Sequence, residues 1–443
     1  MLAAARQDEV TTAPEAVQEP TSGVLVWGKA SMQILSNGVR LIVEPVAANE
    51  VVAVVCLFPT GASTELPEEN GLTNLTMRML TRGTRTMSAA ELNEKIESMG
   101  ASLSAGATED CSFVSLNCVR DDLGRMLAIL DEVIFEPALK QEELDKEREV
   151  IIAALKRVED NRFQYTYEEF LKDLYRGHPY GVNPRGTPES LPVFEPLHLE
   201  DRHLDVCRPE GAVVSVVGAV DPRALAKRFE KWSSPPQPAR QRFHATKTFR
   251  RRGGIRTVEK AGDQAFLVIG SVTVPMSNKD AIPLRVASAA LGEGMSSRLF
   301  VILRERASLG YVVGSMSVPR FDLGHFACYI GVSSENVDRA QTGIELQVKQ
   351  LAEESLAPEE LERAKNYTIG RFRLSQQTND ARARLRAVCE MAGLGYDYGQ
   401  RYPDLIRKVK AADVRFVANK YLTNPVTVIV TPRDEAKAAR SRQ

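Results

Sequence analysis

The segment Leu139-Lys-Gln-Glu-Glu-Leu144 returns later in the chain as Leu356-Ala-Pro-Glu-Glu-Leu361. Each copy opens a long segment with helical periodicity. A second repeat is the strand-like Val-Val-Ser-Val-Val at 213–217, which is echoed by Val-Thr-Val-Ile-Val at 426–430. The two repeats have nearly the same offset, close to half of the 443 residues, and this indicates a duplicated domain.

Each copy alternates segments with strand and helix patterns. Asn37-Gly38 supplies the positive φ angles of a tight turn and predicts a hairpin between 33–35 and 39–44. The uninterrupted apolar run Val51–Phe58 is typical of a strand that is covered on both faces. Ser88 and Glu91 have the spacing of a capping box at a helix start. The other predicted elements are helices at 68–82, 88–99, 121–134 and 140–157, and paired strands at Ser102–Ala107 and 112–118.

These patterns predict an α+β fold with two homologous halves, each a mixed, mainly antiparallel sheet covered by helices, which face each other as a clamshell. Ser233-Ser-Pro-Pro-Gln-Pro238 is rich in proline and polar residues, which is typical of a linker. The predicted domains are therefore an N-terminal domain at 24–232, a linker at 233–243 and a C-terminal domain at 244–435. Residues 1–23 lack hydrophobic periodicity and predict a disordered leader, and 436–443 form a tail.

The composition excludes several classes of protein. The formal net charge of -1, with 26% charged residues, lacks the basic excess of a nucleic-acid-binding protein. No apolar run reaches the roughly 18–20 residues of a membrane helix, so the chain is expected to be soluble. Because no intact signal peptide is recognisable, the compartment stays open between cytoplasm and periplasm. The six cysteines are widely spaced without a C-x-x-C pair, which indicates buried small apolar side chains rather than a disulfide framework.

A series of short motifs resembles the pitrilysin-type zinc peptidases, in particular the branch that includes mitochondrial processing peptidase and its bacterial relatives. The motifs extend over most of the chain in the family's order. They are Asn37-Gly-Val-Arg-Leu, Pro59-Thr-Gly-Ala-Ser-Thr-Glu before Asn70-Gly-Leu, Leu80-Thr-Arg-Gly-Thr, Gly100-Ala, Glu147-Arg-Glu-Val-Ile, His178-Pro-Tyr-Gly, Gly186-Thr-Pro-Glu-Ser-Leu, Ser297-Arg-Leu-Phe, Leu303-Arg-Glu and Leu309-Gly-Tyr. The resemblance implies the fold predicted above and a role connected with peptide hydrolysis.

The family's zinc motif His-x-x-Glu-His falls on Asn74-Leu-Thr-Met-Arg78. Asn74 and Arg78 occupy the two histidine positions, Met77 occupies the general-base position, and Ala154 replaces a further glutamate ligand. Arginine is permanently cationic and has no acceptor, methionine cannot take a proton from water, and alanine offers no oxygen. We therefore expect no metal in this chain.

A second feature of the family is retained. Active relatives use an Arg and a Tyr seven residues apart to hold the substrate backbone and support the oxyanion, and Arg304 and Tyr311 match this placement. A guanidinium and a phenol are donors suited to a carbonyl oxygen that becomes more negative in the transition state. Without the resemblance, Arg304 would be interpreted as a solvated helix charge and Tyr311 as a strand residue.

In the family, some peptidases consist of two chains, one with the zinc helix and one that supplies the Arg and Tyr. The resemblance implies the second kind, with a homologous partner of similar length that carries His-x-x-Glu-His and zinc, and with unfolded or extended peptides as substrates. The turn Leu291-Gly-Glu-Gly-Met-Ser-Ser-Arg298 is shorter than the glycine-rich loop of the mitochondrial alpha subunit, which argues against presequence processing. The alternative is a structural or peptide-binding scaffold without catalysis.

Four other segments have simpler interpretations. Thr108-Glu-Asp-Cys111 matches no ligand spacing and is expected to be a solvated loop that enters a strand. His178 is expected in a turn, and Gly292-x-Gly294 in a turn between helices, because the phosphate-loop patterns fail. Arg250-Arg-Arg252 is expected to be a solvated cluster. No nucleophile elbow or Cys-His arrangement supports a third alternative, a self-sufficient peptidase with its own nucleophile.

Overall fold

The computed structural model describes residues 29–233 and 253–433 and contains two mixed sheets. The first sheet has the order β1-β2-β6-β3-β5-β4, in which β2 and β6 are parallel and the other neighbours are antiparallel. Its strands are β1 Ser31–Ile34, β2 Arg40–Pro45, β3 Val51–Phe58, β4 Ser102–Ala107, β5 Ser112–Val119 and β6 Val213–Gly218. The hairpin at Asn37-Gly38 and the β4–β5 pair are confirmed. Of the two turn residues, only Gly38 has the predicted positive φ, at 84°.

The second sheet repeats the order of the first from β2 onward. It runs β7-β11-β8-β10-β9, again with one parallel pair, β7 and β11, beside antiparallel neighbours. Its strands are β7 Gly254–Lys260, β8 Ala265–Val272, β9 Val312–Val318, β10 His325–Val332 and β11 Val426–Pro432. The same topology at an offset of about half the chain confirms the predicted duplication and the α+β class.

Helices occupy the connections between the strands. They are α1 Leu72–Met79, α2 Ala89–Ser98, α3 Leu123–Phe135, α4 Gln141–Asp160, α5 Arg162–Leu174, α6 Pro196–Val206, α7 Pro222–Phe229, α8 Ala281–Gly292, α9 Val337–Glu353, α10 Pro358–Ser375, α11 Asn379–Met391, α12 Tyr398–Arg407 and α13 Ala411–Tyr421. A π-helix spans Phe300–Arg306. The capping box of Ser88 and Glu91 is present at the start of α2. In the described residues, no helix has the length and apolar character needed to cross a bilayer.

One helix from each half of the chain packs on the sheet of the other half. From the first half, α5 packs on β8 and β11; from the second half, α11 packs on β3 and β6. The starts of α5 and α11 have the same offset as the two hexamers, so these helices are equivalent members of the duplication. Phe170 and Leu174 of α5 join the core of the second sheet, and Ala383 and Ala387 of α11 join that of the first. The sheets are thus covered on both faces, as the apolar run of β3 predicts.

A buried charge cluster fixes α11 to the first sheet. Glu44 of β2 is fully buried and pairs with both Arg382 and Arg386. The Nε of Arg386 lies 2.6 Å from a carboxylate oxygen of Glu44, and the Nη1 of Arg386 donates to the carbonyl oxygen of Tyr396 at 3.0 Å. Where α5 packs on the second sheet, Arg256 of β7 forms ion pairs with two carboxylate side chains of α5. Burial lowers the pKa of Arg386 to about 10, so its guanidinium is cationic at neutral pH.

Two sequence predictions need correction, and others cannot be compared. The helix predicted at 68–82 is broken, because Gly71 takes a left-handed φ of 93° and α1 begins only at Leu72. The charges of the 108–111 loop are not solvated: Glu109 pairs with Arg320 at 3.0 Å, and Asp110 accepts a bond from the Phe321 amide. The predicted leader and tail, the linker beyond residue 233, and the cluster at 250–252 lie outside the described residues. The domain bounds stay a prediction.

Candidate functional site

Helix α1 carries the positions of the zinc motif, and a buried carboxylate holds its first turn. The Glu65 side chain accepts bonds from the backbone amides of Gly71 and Thr73 at 3.0 and 2.6 Å. A Cβ at Gly71 would overlap the backbone of Gly186, so only glycine fits there. Arg202 donates to the Thr73 hydroxyl at 2.9 Å and ties the same turn to α6. These contacts place α1 firmly between α4, α6 and the first sheet.

The zinc-motif side chains of α1 have different environments. Asn74 and Arg78 lie one turn apart on one helix face, as four-residue spacing requires. Asn74 is largely buried, Met77 is fully buried in the core, and the Arg78 side chain is 38% exposed. Ala154 lies on α4, which packs against α1. The fold therefore places these positions on two helices that pack against each other.

The Arg78 guanidinium pairs with a carboxylate that the sequence indicated only as the first residue of a family motif, not as a site residue. Glu147 of α4, only 1% exposed, receives Arg78 on one carboxylate oxygen and Arg82 on the other. The Nε of Arg82 lies 2.7 Å from the Oε2 of Glu147. Glu147 lies seven residues before Ala154, which is two helical turns on the same face. That spacing was the available signal for its place in the site.

The other predicted pair lies in the second half. Arg304 is exposed on the π-helix, and its guanidinium stacks over the Phe300 ring at 4.7 Å from the centroid. Tyr311 is 81% exposed and comes directly before β9. A Cβ at Gly310 would overlap the carbonyl oxygen of Gly331, so glycine there lets the chain pass close to β10 before Tyr311 turns outward. Among the described residues, no carboxylate forms an ion pair with Arg304.

The remaining candidates have structural roles. His178 is buried in a turn, where Nδ1 accepts a bond from the Tyr180 amide at 3.1 Å and Nε2 lies 3.0 Å from an Asp322 oxygen. The turn at Gly292-x-Gly294 lies between α8 and the π-helix. All six cysteines are buried. Within the described parts of the chain, no hydrogen bond or ion pair joins the side chain of Asn74 or of the other zinc-motif positions to Arg304 or Tyr311.

Comparisons with known proteins place the chain in a family. A model of "Insulinase (Peptidase family M16)" matches residues 40–187, and one of "Peptidase M16 inactive domain" matches residues 196–368. The chain belongs to the pitrilysin-like peptidase family M16. An uncharacterized zinc protease of Rickettsia bellii is 25% identical over 407 residues, 89% of this chain and 96% of the relative. The uncharacterized zinc protease YmxG of Bacillus subtilis is 26% identical over 353 residues, 78% of this chain and 84% of the relative.

Solved structures agree on the fold. The peptidase M16 inactive domain from Pseudomonas fluorescens superposes with a TM-score of 0.85 at 19% identity and covers 91% of this chain and 98% of its own. A protease from Helicobacter pylori superposes with a TM-score of 0.83 at 22% identity and covers 91% of this chain and 100% of its own. Both comparisons support the two-sheet M16 fold described above.

The M16 zinc does not fit the residues of α1 and α4. A divalent ion needs neutral or anionic donors, but Arg78 places a guanidinium at one ligand position, and Met77 and Ala154 supply no suitable donor. Glu147, the nearby carboxylate, is taken up by two arginines. In the described residues, no group of three or more His, Cys, Asp or Glu side chains has the geometry of a metal site.

Partial restoration of the histidines should not create a zinc site. We expect the Asn74→His/Arg78→His variant to lack tight zinc binding, because Arg82 still holds Glu147 and Ala154 supplies no third ligand. Adding Ala154→Glu should tighten zinc binding at least about tenfold, since a third donor completes the usual ligand set. Isothermal titration with Zn²⁺ measures both. Tight binding by the double variant would show that a third ligand already exists.

The Glu65 carboxyl predicts a pH dependence of stability. Burial raises the pKa of Glu65 to about 7, although bonds from Thr73 and Gly71 and the charge of Arg202 oppose the shift. Because the folded-state pKa exceeds the usual value of 4.5, the resulting stability is present below that value and is lost as the pH rises through 7.

We therefore expect the wild type to lose on the order of 3 kcal/mol relative to Glu65→Gln between pH 4.5 and 8. Urea unfolding of both proteins across this range measures the difference. Parallel stability curves for the two proteins would exclude titration of Glu65.

Proposed function

We propose that this chain is the non-zinc-binding subunit of a two-chain M16 endopeptidase. In this proposal a homologous partner supplies zinc and the general base, while this chain closes the peptide chamber and contributes Arg304 and Tyr311. The observation that carries the proposal is a contrast between the halves. The Arg78 guanidinium is held by Glu147, whereas Arg304 and Tyr311 are exposed and have no hydrogen-bond or ion-pair partner among the described residues.

The chemistry of the exposed pair suits an acyl-transfer transition state. Arg304 offers several N–H donors and a fixed positive charge, and Tyr311 offers a phenolic O–H. Such donors stabilise a carbonyl oxygen as negative charge develops on it, which is where electrostatic catalysis has its largest effect. The Phe300 ring under Arg304 limits the conformations of its side chain. In this proposal the two donors need only a nucleophile from elsewhere, which the partner would provide.

Extended peptides are the substrates that the fold suits best. The first sheet ends in β4 and the second in β9, and Tyr311 directly precedes β9. An edge strand binds an extended peptide through main-chain hydrogen bonds, which gives affinity without one required sequence. Unfolded segments would therefore be bound by backbone contacts, while Arg304 and Tyr311 act on the carbonyl that is attacked.

Reconstitution tests the proposal. The chain would be mixed with the M16 homologue of the same organism that carries His-x-x-Glu-His, and cleavage of a quenched fluorescent peptide would be followed. We expect each chain alone to be nearly inactive and the mixture to be active. Removal of zinc from the partner by a chelator should abolish the activity of the mixture. Peptidase activity of this chain alone would contradict the proposal. A stable complex that leaves the partner's activity unchanged would favour the scaffold alternative.

A further inference from the structure

An apolar groove lies on the second half, away from the residues discussed so far. It is bordered by α9, α13 and the ends of β8 and β10, and has a volume of about 380 Å³. Ile344, Val348, Phe326 and Leu422 give it apolar walls, and Glu345 and Lys349 carry charge at its rim. An apolar groove with a few placed charges is a common form of protein-binding site.

The duplication provides a twin for this groove in the first half. There α3 and α6 take the places of α9 and α13, at nearly the offset that relates the two hexamers. Part of this region is covered by the segment that follows β6, because Arg228 and Trp232 contact α3, whereas α7 itself packs on β2. Leu225 and Phe229 of α7, together with Trp232, are buried in the core of the first half. Leu225 and Phe229 lie one turn apart on α7, and Trp232 follows three residues after the helix ends.

The contacts of this segment show what such a groove selects. The Trp232 ring meets Phe135 of α3 edge-on, with centroids 5.1 Å apart, and its indole N–H donates to Asp131 at 2.9 Å. Arg228 forms an ion pair with the same carboxylate. The twin groove therefore binds large apolar side chains together with one cation that an acid on α3 receives.

The second half has a groove at the equivalent place, with an acidic side chain at the position of Asp131. When the starts of α3 and α9 are aligned, Asp131 corresponds to Glu345 and Phe135 to Lys349, and both replacements line the open groove. At two of the aligned positions, the sequence after β11 has no large apolar side chain. When β6 and β11 are aligned, the positions of Leu225 and Phe229 fall on an alanine, at 438, and an arginine, at 442. These residues are too small or too polar to be such anchors.

We propose that the groove between α9 and α13 binds a segment of another protein that resembles residues 221–232, a short helix followed by an aromatic side chain. The segment presents large apolar side chains at i, i+4 and i+7 and a basic side chain at i+3, which pairs with Glu345. A second copy of this chain does not provide it through α7, because Leu225, Phe229 and Trp232 are buried in their own half. This inference is independent of the proposed catalytic role.

A peptide with the sequence of residues 221–232 tests the groove, because it has the required spacing and carries its own N-cap, Asp221. Binding of the fluorescently labelled peptide to the full chain would be measured by anisotropy. We expect saturable binding that Val348→Glu and Glu345→Lys each weaken at least about tenfold, since a charge is buried or an ion pair reversed.

The matched control is Leu346→Glu, since Leu346 is 50% exposed on the same helix but does not line the groove. It should leave binding within about twofold. A peptide with Phe229→Ala and Trp232→Ala should bind at least about tenfold more weakly than the unchanged peptide.

Four results would overturn the proposal. One is the absence of saturable binding up to about 1 mM peptide. A second is equal weakening of binding by Leu346→Glu and by Glu345→Lys; residue 345 is exposed, so the latter variant should fold normally. A third is tighter peptide binding after removal of residues 434–443, which would make the chain's own segment the occupant. The fourth is a homodimer in sedimentation that the peptide dissociates, which would make a second copy the occupant.

Discussion

Replacing Arg304 by alanine should lower kcat/KM of the assembled two-chain peptidase by about 10²–10³-fold, the usual loss when one donor to a developing oxyanion is removed. Arg304 is exposed, stacks on Phe300 and has no acidic partner in the described residues, so its removal leaves no buried charge unpaired. Folding and assembly should therefore be normal. The loss should appear mainly in kcat, because removing a contact made only in the transition state lowers kcat and kcat/KM together.

Two further variants separate this role from a general loss of charge. Tyr311→Phe removes only one hydroxyl donor and should cost about 10-fold or more. Arg306→Ala is the matched control, because Arg306 is an exposed arginine on the same π-helix outside the family motif. It should keep kcat/KM within about twofold. Normal turnover of both Arg304→Ala and Tyr311→Phe in a confirmed complex would remove the pair from the mechanism.

Replacing Glu44 by glutamine should destabilise the chain by about 3–5 kcal/mol, because it removes the buried carboxylate with which Arg382 and Arg386 pair. Both arginines belong to α11, the helix that the second half places on the first sheet. The loss should therefore weaken the attachment of the two halves as well as the local packing. Urea unfolding, followed by circular dichroism, measures the midpoint and slope.

The design of the controls follows from the energetics of buried ion pairs. Glu50→Gln changes an exposed glutamate just before β3 and should stay within about 0.5 kcal/mol of the wild type. The triple variant Glu44→Leu/Arg382→Met/Arg386→Met removes all three charges and should recover much of the stability that Glu44→Gln loses. Equal stability of Glu44→Gln and Glu50→Gln would contradict the cluster's role.

The sequence predicts much of the fold because its signals are local or repeated. The turn at Asn37-Gly38, the apolar run of β3 and the capping box at Ser88 each specify their own element, and all three are present. The hexamer at Leu139 and Leu356 predicts the duplication because it opens equivalent helices, α4 and α10. The resemblance likewise identifies the family from motifs that extend over both halves.

Other features depend on contacts that the sequence does not encode locally. Neither α5 nor α11 is among the helices that the sequence predicts. Because two equivalent sheets could accept each helix, the exchange is not predictable from periodicity either. The contacts of the zinc-motif positions likewise depend on residues that are distant in sequence. Arg78 was recognised as incompatible with zinc, whereas its partner Glu147 lies on another helix, 69 residues away. The break of the helix at Gly71 coincides with a close approach to the backbone of Gly186, a distant contact that the helical pattern does not reveal.

Native mass spectrometry of this chain, purified from its own organism at native expression, tests the central proposal most directly. The two-chain account predicts a one-to-one complex with an M16 homologue of similar length that carries His-x-x-Glu-His and one zinc ion. A homodimer, or a stable assembly with unrelated proteins and no zinc-binding homologue, would contradict it.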